Sequence, residues 1–216
     1  MQNAILCTLL LASTTLTAQS APTPKAAAVA LPAPTRTAGM SLNEALATRR
    51  SIRTFTTAPI TLAEISQLLW SAQGVTSDKG GRTAPSAHAQ YFLHLYVARP
   101  EGFFEYIPAS HSLQPLSGKD IRASLSTQES VKQASVVFLI AGEYDRASKI
   151  TQSEIAHRLV NLEAGHATQN LLLQATALNL GAVSVGGVDA KQTAAAASLP
   201  SDLGVIYLIP VGHPKP

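Results

Sequence analysis

Residues 135–142 form an almost unbroken apolar run, and no other stretch constrains the fold as strongly. Val136, Val137, Phe138 and Ile140 within it are strand formers, and the run reads as a strand buried at the centre of a sheet. The longest element comes next, a helix over about residues 153–179. Val160, Ala164, Ala167, Leu171, Ala175 and Leu178 repeat on one of its faces. Small residues dominate the first half of that stripe, so another helix can approach closely there. Gly181 ends it.

The remaining pattern is mixed. Ser41-Leu42-Asn43-Glu44 and Thr61-Leu62-Ala63-Glu64 are capping-box sequences. The first opens a short helix ending near Arg49. The second continues through Ile65, Leu68, Leu69 and Ala72 to Gly74. Residues 77–86 read as a polar, Gly-rich loop and residues 91–98 as a strand. Residues 103–107 and 112–116 read as a hairpin, and residues 204–211 as a final apolar strand after a short Ala-rich helix. Helices and strands do not alternate regularly, so an α+β domain follows.

With 216 residues, 46% of them hydrophobic, the chain can form one domain with a substantial core. The net charge is only +3, and no Lys/Arg run is interleaved with aromatics, which argues against a nucleic-acid surface. Residues 4–16 are apolar and hydroxylated, and Ala18-Gln19-Ser20 supplies small–x–small spacing. Residues 1–20 therefore read as a secretory signal peptide, too short and too hydroxylated for a membrane span. An exported, periplasmic or secreted protein is expected, with no stable membrane insertion after cleavage; the protein is cytoplasmic if the signal is not used. Residues 21–40, with Pro22, Pro24, Pro32 and Pro34, read as an Ala/Pro-rich linker, and residues 41–214 as the folded domain. Cys7, the only cysteine, lies in the signal segment, so thiol chemistry is not expected of the mature protein.

No metal-ligand spacing joins the six histidines, and no Gly-x-Ser-x-Gly elbow surrounds Ser86. Chemistry would then come from an organic cofactor rather than a catalytic side chain. Three segments are candidates for holding one. Arg49-Arg50-Ser51-Ile52-Arg53 concentrates guanidinium groups and a hydroxyl, the donors that suit a phosphate. The competing reading is a basic helix end complementing its own macrodipole. Thr83-Ala84-Pro85-Ser86-Ala87 offers small groups and a hydroxyl. Gly186-Gly187 lets backbone N–H groups approach a ligand.

In this order, these segments resemble the nitroreductase family of FMN enzymes. Thr54-Phe55, Leu68-Leu69-Trp70-Ser71-Ala72-Gln73-Gly74 and Leu162-Glu163-Ala164-Gly165-His166-Ala167-Thr168-Gln169-Asn170 extend the likeness. So do Leu180-Gly181-Ala182-Val183 and Pro210-Val211-Gly212-His213-Pro214. The chain looks most similar to the branch containing the thiazoline and oxazoline dehydrogenases of peptide-modification clusters.

The resemblance implies a three-layer α/β sandwich with a central mixed sheet. It also implies a homodimer with FMN in clefts at the subunit interface, a dimer that the small-residue stripe on the long helix favours as well. Carried onto this chain, Arg49, Arg50 and Ser51 would take the phosphate and ribityl chain, and Arg53 the pyrimidine edge of the flavin. Pro85, Ser86 and Ala87 would line the ring, Gly186 and Gly187 would face N5, and Lys215 would add phosphate charge. The implied activity is hydride transfer from a donor such as NAD(P)H to a nitroaromatic or quinone. The alternative is an exported, non-catalytic flavin- or ligand-binding protein on the same fold. Many members of the family have Asn and Gln where this chain has Ala89 and Tyr91, so ring hydrogen bonds from those positions are not expected. His157-Arg158-Leu159 stands where the azoline branch has a tyrosine-rich approach.

Overall fold

The computed structural model describes residues 27–37 and 39–216. The expected signal peptide over residues 1–20 lies outside them. Among the described residues no helix is long and apolar enough to cross a membrane.

The strands are β1 (Val29–Ala30), β2 (Leu93–Arg99), β3 (Gly102–Ile107), β4 (Ser112–Ser117), β5 (Val136–Gly142), β6 (Gly181–Ala182) and β7 (Gly204–Gly212). They form one seven-stranded sheet in the order β1-β4-β3-β2-β5-β7-β6. The helices are α1 (Leu42–Thr48), α2 (Leu62–Gln73), α3 (Arg122–Leu125), α4 (Glu129–Lys132), α5 (Tyr144–Ser148), α6 (Ser153–Ala177) and α7 (Ala190–Ala196). The α+β layering expected from the sequence is present. Every strand pair is antiparallel, and the parallel character of the expected mixed sheet is confined to an isolated bridge between Ser51 and Ala182.

β5 is buried along its whole length, and its side chains divide by parity. Val136, Phe138 and Ile140 join a core with Ile65, Leu68 and Leu69 of α2 and Val160, Ala164 and Leu171 of α6. Val137, Leu139 and Ala141 join a second core with Leu125, Val131, Ala197 and Leu208. A strand between two neighbours, with alternate side chains in two dry layers, has no solvated face, and hence the unbroken apolar run.

Thr61 forms a full capping box with Glu64, whereas Ser41 only accepts the Glu44 N–H, without the reciprocal bond. The small-residue stripe of α6 lies in the chain's own core, which α6 shares with α2 and the sheet. Ala164, Ala167 and Ala175 are fully buried in that core. The expectation that this stripe forms a dimer interface is therefore corrected: the small side chains are used in the chain's own core.

The Ala/Pro-rich stretch expected as a linker is, over residues 29–36, seated on the domain. β1 pairs with β4, and Leu31 is buried and donates its N–H to His111 O at 3.1 Å. Ser66 Oγ donates to Pro32 O at 2.5 Å, and Gln67 binds both the N–H and the C=O of Thr35 at 2.8 and 3.1 Å. Proline's missing N–H does not prevent docking, because the contacts at Pro32 use its carbonyl.

Candidate functional site

α1 ends with Arg49 donating its N–H to Ala45 O at 2.9 Å. The Arg50 guanidinium turns back on the helix, donating to Ala47 O at 3.1 Å and to Arg49 O at 2.8 Å. Arg50 thus performs the helix-end role weighed against phosphate binding. Beyond it the chain runs along the edge of the sheet. Ile52 N–H donates to Ala182 O at 3.0 Å, Thr56 N–H to His213 O at 2.8 Å and Lys215 N–H to Thr54 O at 3.2 Å.

Two glycines make this seat. A Cβ on Gly181 would lie 2.7 Å from Ile52 Cγ2, and one on Gly212 would lie 2.8 Å from Phe55 Cβ. With Phe55 buried as the anchor, Ser51, Arg53 and Lys215 remain exposed and Arg49 half-buried. Among the described residues, Arg49, Arg53 and Lys215 have no carboxylate partner. Unpaired cations on a backbone fixed by the sheet edge suit an anionic ligand such as a phosphate.

The second segment is held by α2 and α6. Thr83 N–H donates to Gly74 O at 3.0 Å, Thr83 Oγ1 to Trp70 O at 3.1 Å, and Asn170 Nδ2 to Thr83 O at 3.2 Å. Pro85 is exposed, and Ser86 and Ala87 are half-buried. The Ser86 hydroxyl donates to Glu163 Oε2 at 2.6 Å and accepts the Tyr91 N–H at 2.8 Å. His88, Ala89 and Tyr91 adopt φ of 53°, 53° and 52°. Non-glycine residues seldom occupy this region, and three within four positions need surroundings that hold them there. Arg146 contributes by donating to Gln90 O and Tyr91 O at 3.0 and 2.7 Å.

The third segment hangs from β7, because Val185 and Leu208 exchange backbone hydrogen bonds at 2.8 and 3.1 Å. Gly186 and Gly187 are exposed. A Cβ on Gly186 would come within 3.2 Å of the Tyr207 ring, whereas nothing lies within 4 Å of one on Gly187. Gln128 Nε2 takes the Gly187 carbonyl at 3.2 Å. Both glycine N–H groups donate to no protein acceptor among the described residues.

The first and third segments therefore share one sheet edge, linked through β6 and β7. The second stands apart: among the described residues no hydrogen bond joins it to either. Cavities of about 620 Å³ beside Tyr96 and Glu105, and of about 490 Å³ beside Trp70 and Gln174, are lined by none of the ten expected site residues.

Sequence reasoning assigned no role to Glu163. Its signal was an acid three residues after Val160 and four before Ala167, on the buried face of α6. Burial pushes its carboxyl above the ordinary range, against the opposing pull of the Ser86 hydroxyl, the Phe92 N–H, Arg82 and Gln73.

Residues 46–213 match the nitroreductase family. The Methanocaldococcus jannaschii protein named "Putative nitroreductase MJ1384" is 37% identical over 157 residues, which cover 68% of this chain and 79% of that protein. A crystal structure described as a "putative nitroreductase" from Ralstonia eutropha superposes with a TM-score of 0.82 at 32% identity, covering 88% of this chain and 90% of that one. The NADPH:FMN oxidoreductase of Vibrio harveyi shares the fold, with a TM-score of 0.61 at 21% identity over 81% of this chain and 69% of its own.

Proposed function

Because the chain belongs to the nitroreductase family of oxidoreductases, we propose that it is an FMN-dependent enzyme passing hydride to a small organic acceptor such as a nitroaromatic or quinone. The observation that carries this reading is the set of unpaired cations at Arg49, Arg53 and Lys215 on the segments that meet where Thr54 pairs with Lys215, at the sheet edge that also carries Gly186 and Gly187. The Vibrio harveyi neighbour of the same fold acts on FMN, which supports the choice of cofactor.

In this reading Arg49, Ser51 and Lys215 hold the phosphate, while Arg50 adds charge from its helix-capping position. Arg53 supplies a cation to the flavin edge that gains negative charge on reduction. Gly186 and Gly187 present backbone donors to the ring, and Pro85, Ser86 and Ala87 form an apolar and hydroxyl lining. Bound FMN would supply the hydride chemistry itself. The donor is a nicotinamide or another small reductant.

A homodimer is part of the same proposal: no hydrogen bond among the described residues joins the second segment to the other two, and a second copy would complete the site. Exposed leucines on α1 and α6 are candidates for its contacts: Leu42 and Leu46 are 65% and 54% exposed, and Leu162 is 52% exposed. Residues 162–174 favour kinship with the azoline-dehydrogenase branch, but His157-Arg158-Leu159 gives no reason to assign azoline substrates. Export ahead of function is proposed from the apolar run over residues 4–16.

Purification of the mature protein followed by its absorption spectrum and anaerobic reduction tests the reading. A yellow protein bleached by NAD(P)H and re-oxidised by a quinone or nitroaromatic is expected. A colourless protein that FMN cannot reconstitute would refute it, and a yellow protein that no donor reduces would make it a flavin-binding module.

A further inference from the structure

We propose that Glu163 is the positioning residue for the 85–87 lining segment and acts through Ser86. The inference rests on the reading of that segment as part of a flavin site. Glu163 is 2% exposed, and every group that reaches its carboxylate is a donor. Ser86 Oγ and Phe92 N–H meet Oε2 at 2.6 and 3.3 Å, and Gln73 Nε2 meets Oε1 at 3.3 Å. The Gln73 amide cannot turn over without penalty, because its oxygen already accepts Arg82 Nη1 at 3.1 Å. An acceptor-only side chain is therefore required at 163; an amide would have to face one of these donors with its own NH₂.

A buried carboxylate contributes little to stability that a well-packed apolar side chain would not. What it adds here is directional. By fixing the Ser86 hydroxyl, Glu163 leaves the Ser86 lone pairs aimed at the Tyr91 N–H. That bond spans the stretch in which His88, Ala89 and Tyr91 are all left-handed. Phe92 N–H, bound to the same carboxylate oxygen, pins the far end. The carboxylate thus sets the path of the loop carrying Pro85 and Ala87 without itself touching a ligand.

The test compares wild type with Glu163→Gln, Ser86→Ala and the double variant in the full chain. Amide exchange at Tyr91 and Phe92 is measured without flavin. FMN and riboflavin affinities and the position of the visible flavin band are measured with it. Glu163→Gln is expected to speed exchange at both amides, and Ser86→Ala that at Tyr91, by about tenfold. Each should shift the flavin band and weaken FMN and riboflavin equally, by about tenfold. The double variant should be no worse than the weaker single one, as expected for residues acting in series. A folded Glu163→Gln with wild-type exchange and an unmoved flavin band overturns the proposal, as do strictly additive losses. Should Glu163→Gln not fold, Ser86→Ala decides alone, with unchanged Tyr91 exchange and flavin band as the refuting result. A wild type that binds no flavin overturns the site reading itself. Flavin binding by wild type with unaltered variants overturns the positioning role only.

Discussion

Lys215 donates its backbone N–H to the Thr54 carbonyl at 3.2 Å, so the end of the domain and the arginine segment near its start are hydrogen-bonded neighbours. The Thr56 N–H to His213 O bond at 2.8 Å repeats the link two residues along. Cations far apart in sequence are thereby carried on adjoining backbone, held by pairing at the sheet edge and by Phe55 packed on Gly212.

Gly212 controls that strip. A methyl group there would meet Phe55 Cβ and Cγ at 2.8 Å, and Phe55 is the buried anchor of the segment. Gly212→Ala is expected to destabilise the domain by roughly 1–3 kcal/mol through overpacking, and to weaken FMN by displacing the arginines. Urea unfolding and flavin titration check this; unaltered values for both would show that the seat is not tight.

Ala167 tests the reassigned stripe. Because Ala167 is fully buried in the core that α6 shares with α2 and the sheet, Ala167→Leu should cost roughly 1–3 kcal/mol in folding stability. The association state of the remaining folded protein should not change. Equilibrium unfolding beside light scattering separates the two, and a variant with wild-type stability but altered association would restore the stripe to an interface.

The contrast between these two sites shows what the sequence made legible. The apolar run over residues 135–142 and the Thr61 to Glu64 box are local signals, and both elements formed where the pattern placed them. The alanines of α6 announced a close helix contact, but nothing local distinguishes α2 from a second copy as the partner. The docking of residues 29–36 was hidden for a similar reason. Its proline composition reads as a spacer, while its partners, Ser66 and Gln67, lie on α2 more than 30 positions away. Arg49 and Arg50 are chemically alike and adjacent, and only the backbone at the end of α1 decides which one caps it. Glu163 and Ser86 are 77 positions apart, so their bond could not be read before the fold existed.

His94 gives a pH signature. Its Nδ1 lies 2.8 Å from Glu105 Oε1 and its Nε2 lies 3.5 Å from Glu143 Oε1. The hydrogen bond to Glu105 is the main cause of an imidazole pKa raised above its ordinary value, against the opposing effect of burial. Protonation is then favoured by folding. The contribution is fully present below the unfolded value of about 6.5 and is lost as pH rises through the folded value. His94→Gln should therefore be least stable relative to wild type at mildly acidic pH, with the gap narrowing above neutrality. Urea midpoints measured across that range check it, and a gap that widens with rising pH would contradict the assignment.

Arg49, at the end of α1 just before the chain joins the sheet edge, is proposed to bind a phosphate, and titration of FMN and riboflavin against wild type and Arg49→Ala decides it. Loss of a charge-assisted hydrogen bond should weaken FMN by about 1.5–3 kcal/mol, roughly a tenfold to hundredfold change in Kd. Riboflavin, which lacks the phosphate, should bind both proteins equally. Arg50→Ala, which removes a helix cap and a charge that makes no direct phosphate bond, should change stability slightly and lower the ratio of FMN to riboflavin affinity by less than Arg49→Ala does. Equal affinity of wild type and Arg49→Ala for FMN, or equal weakening of FMN and riboflavin by Arg49→Ala, would contradict the account.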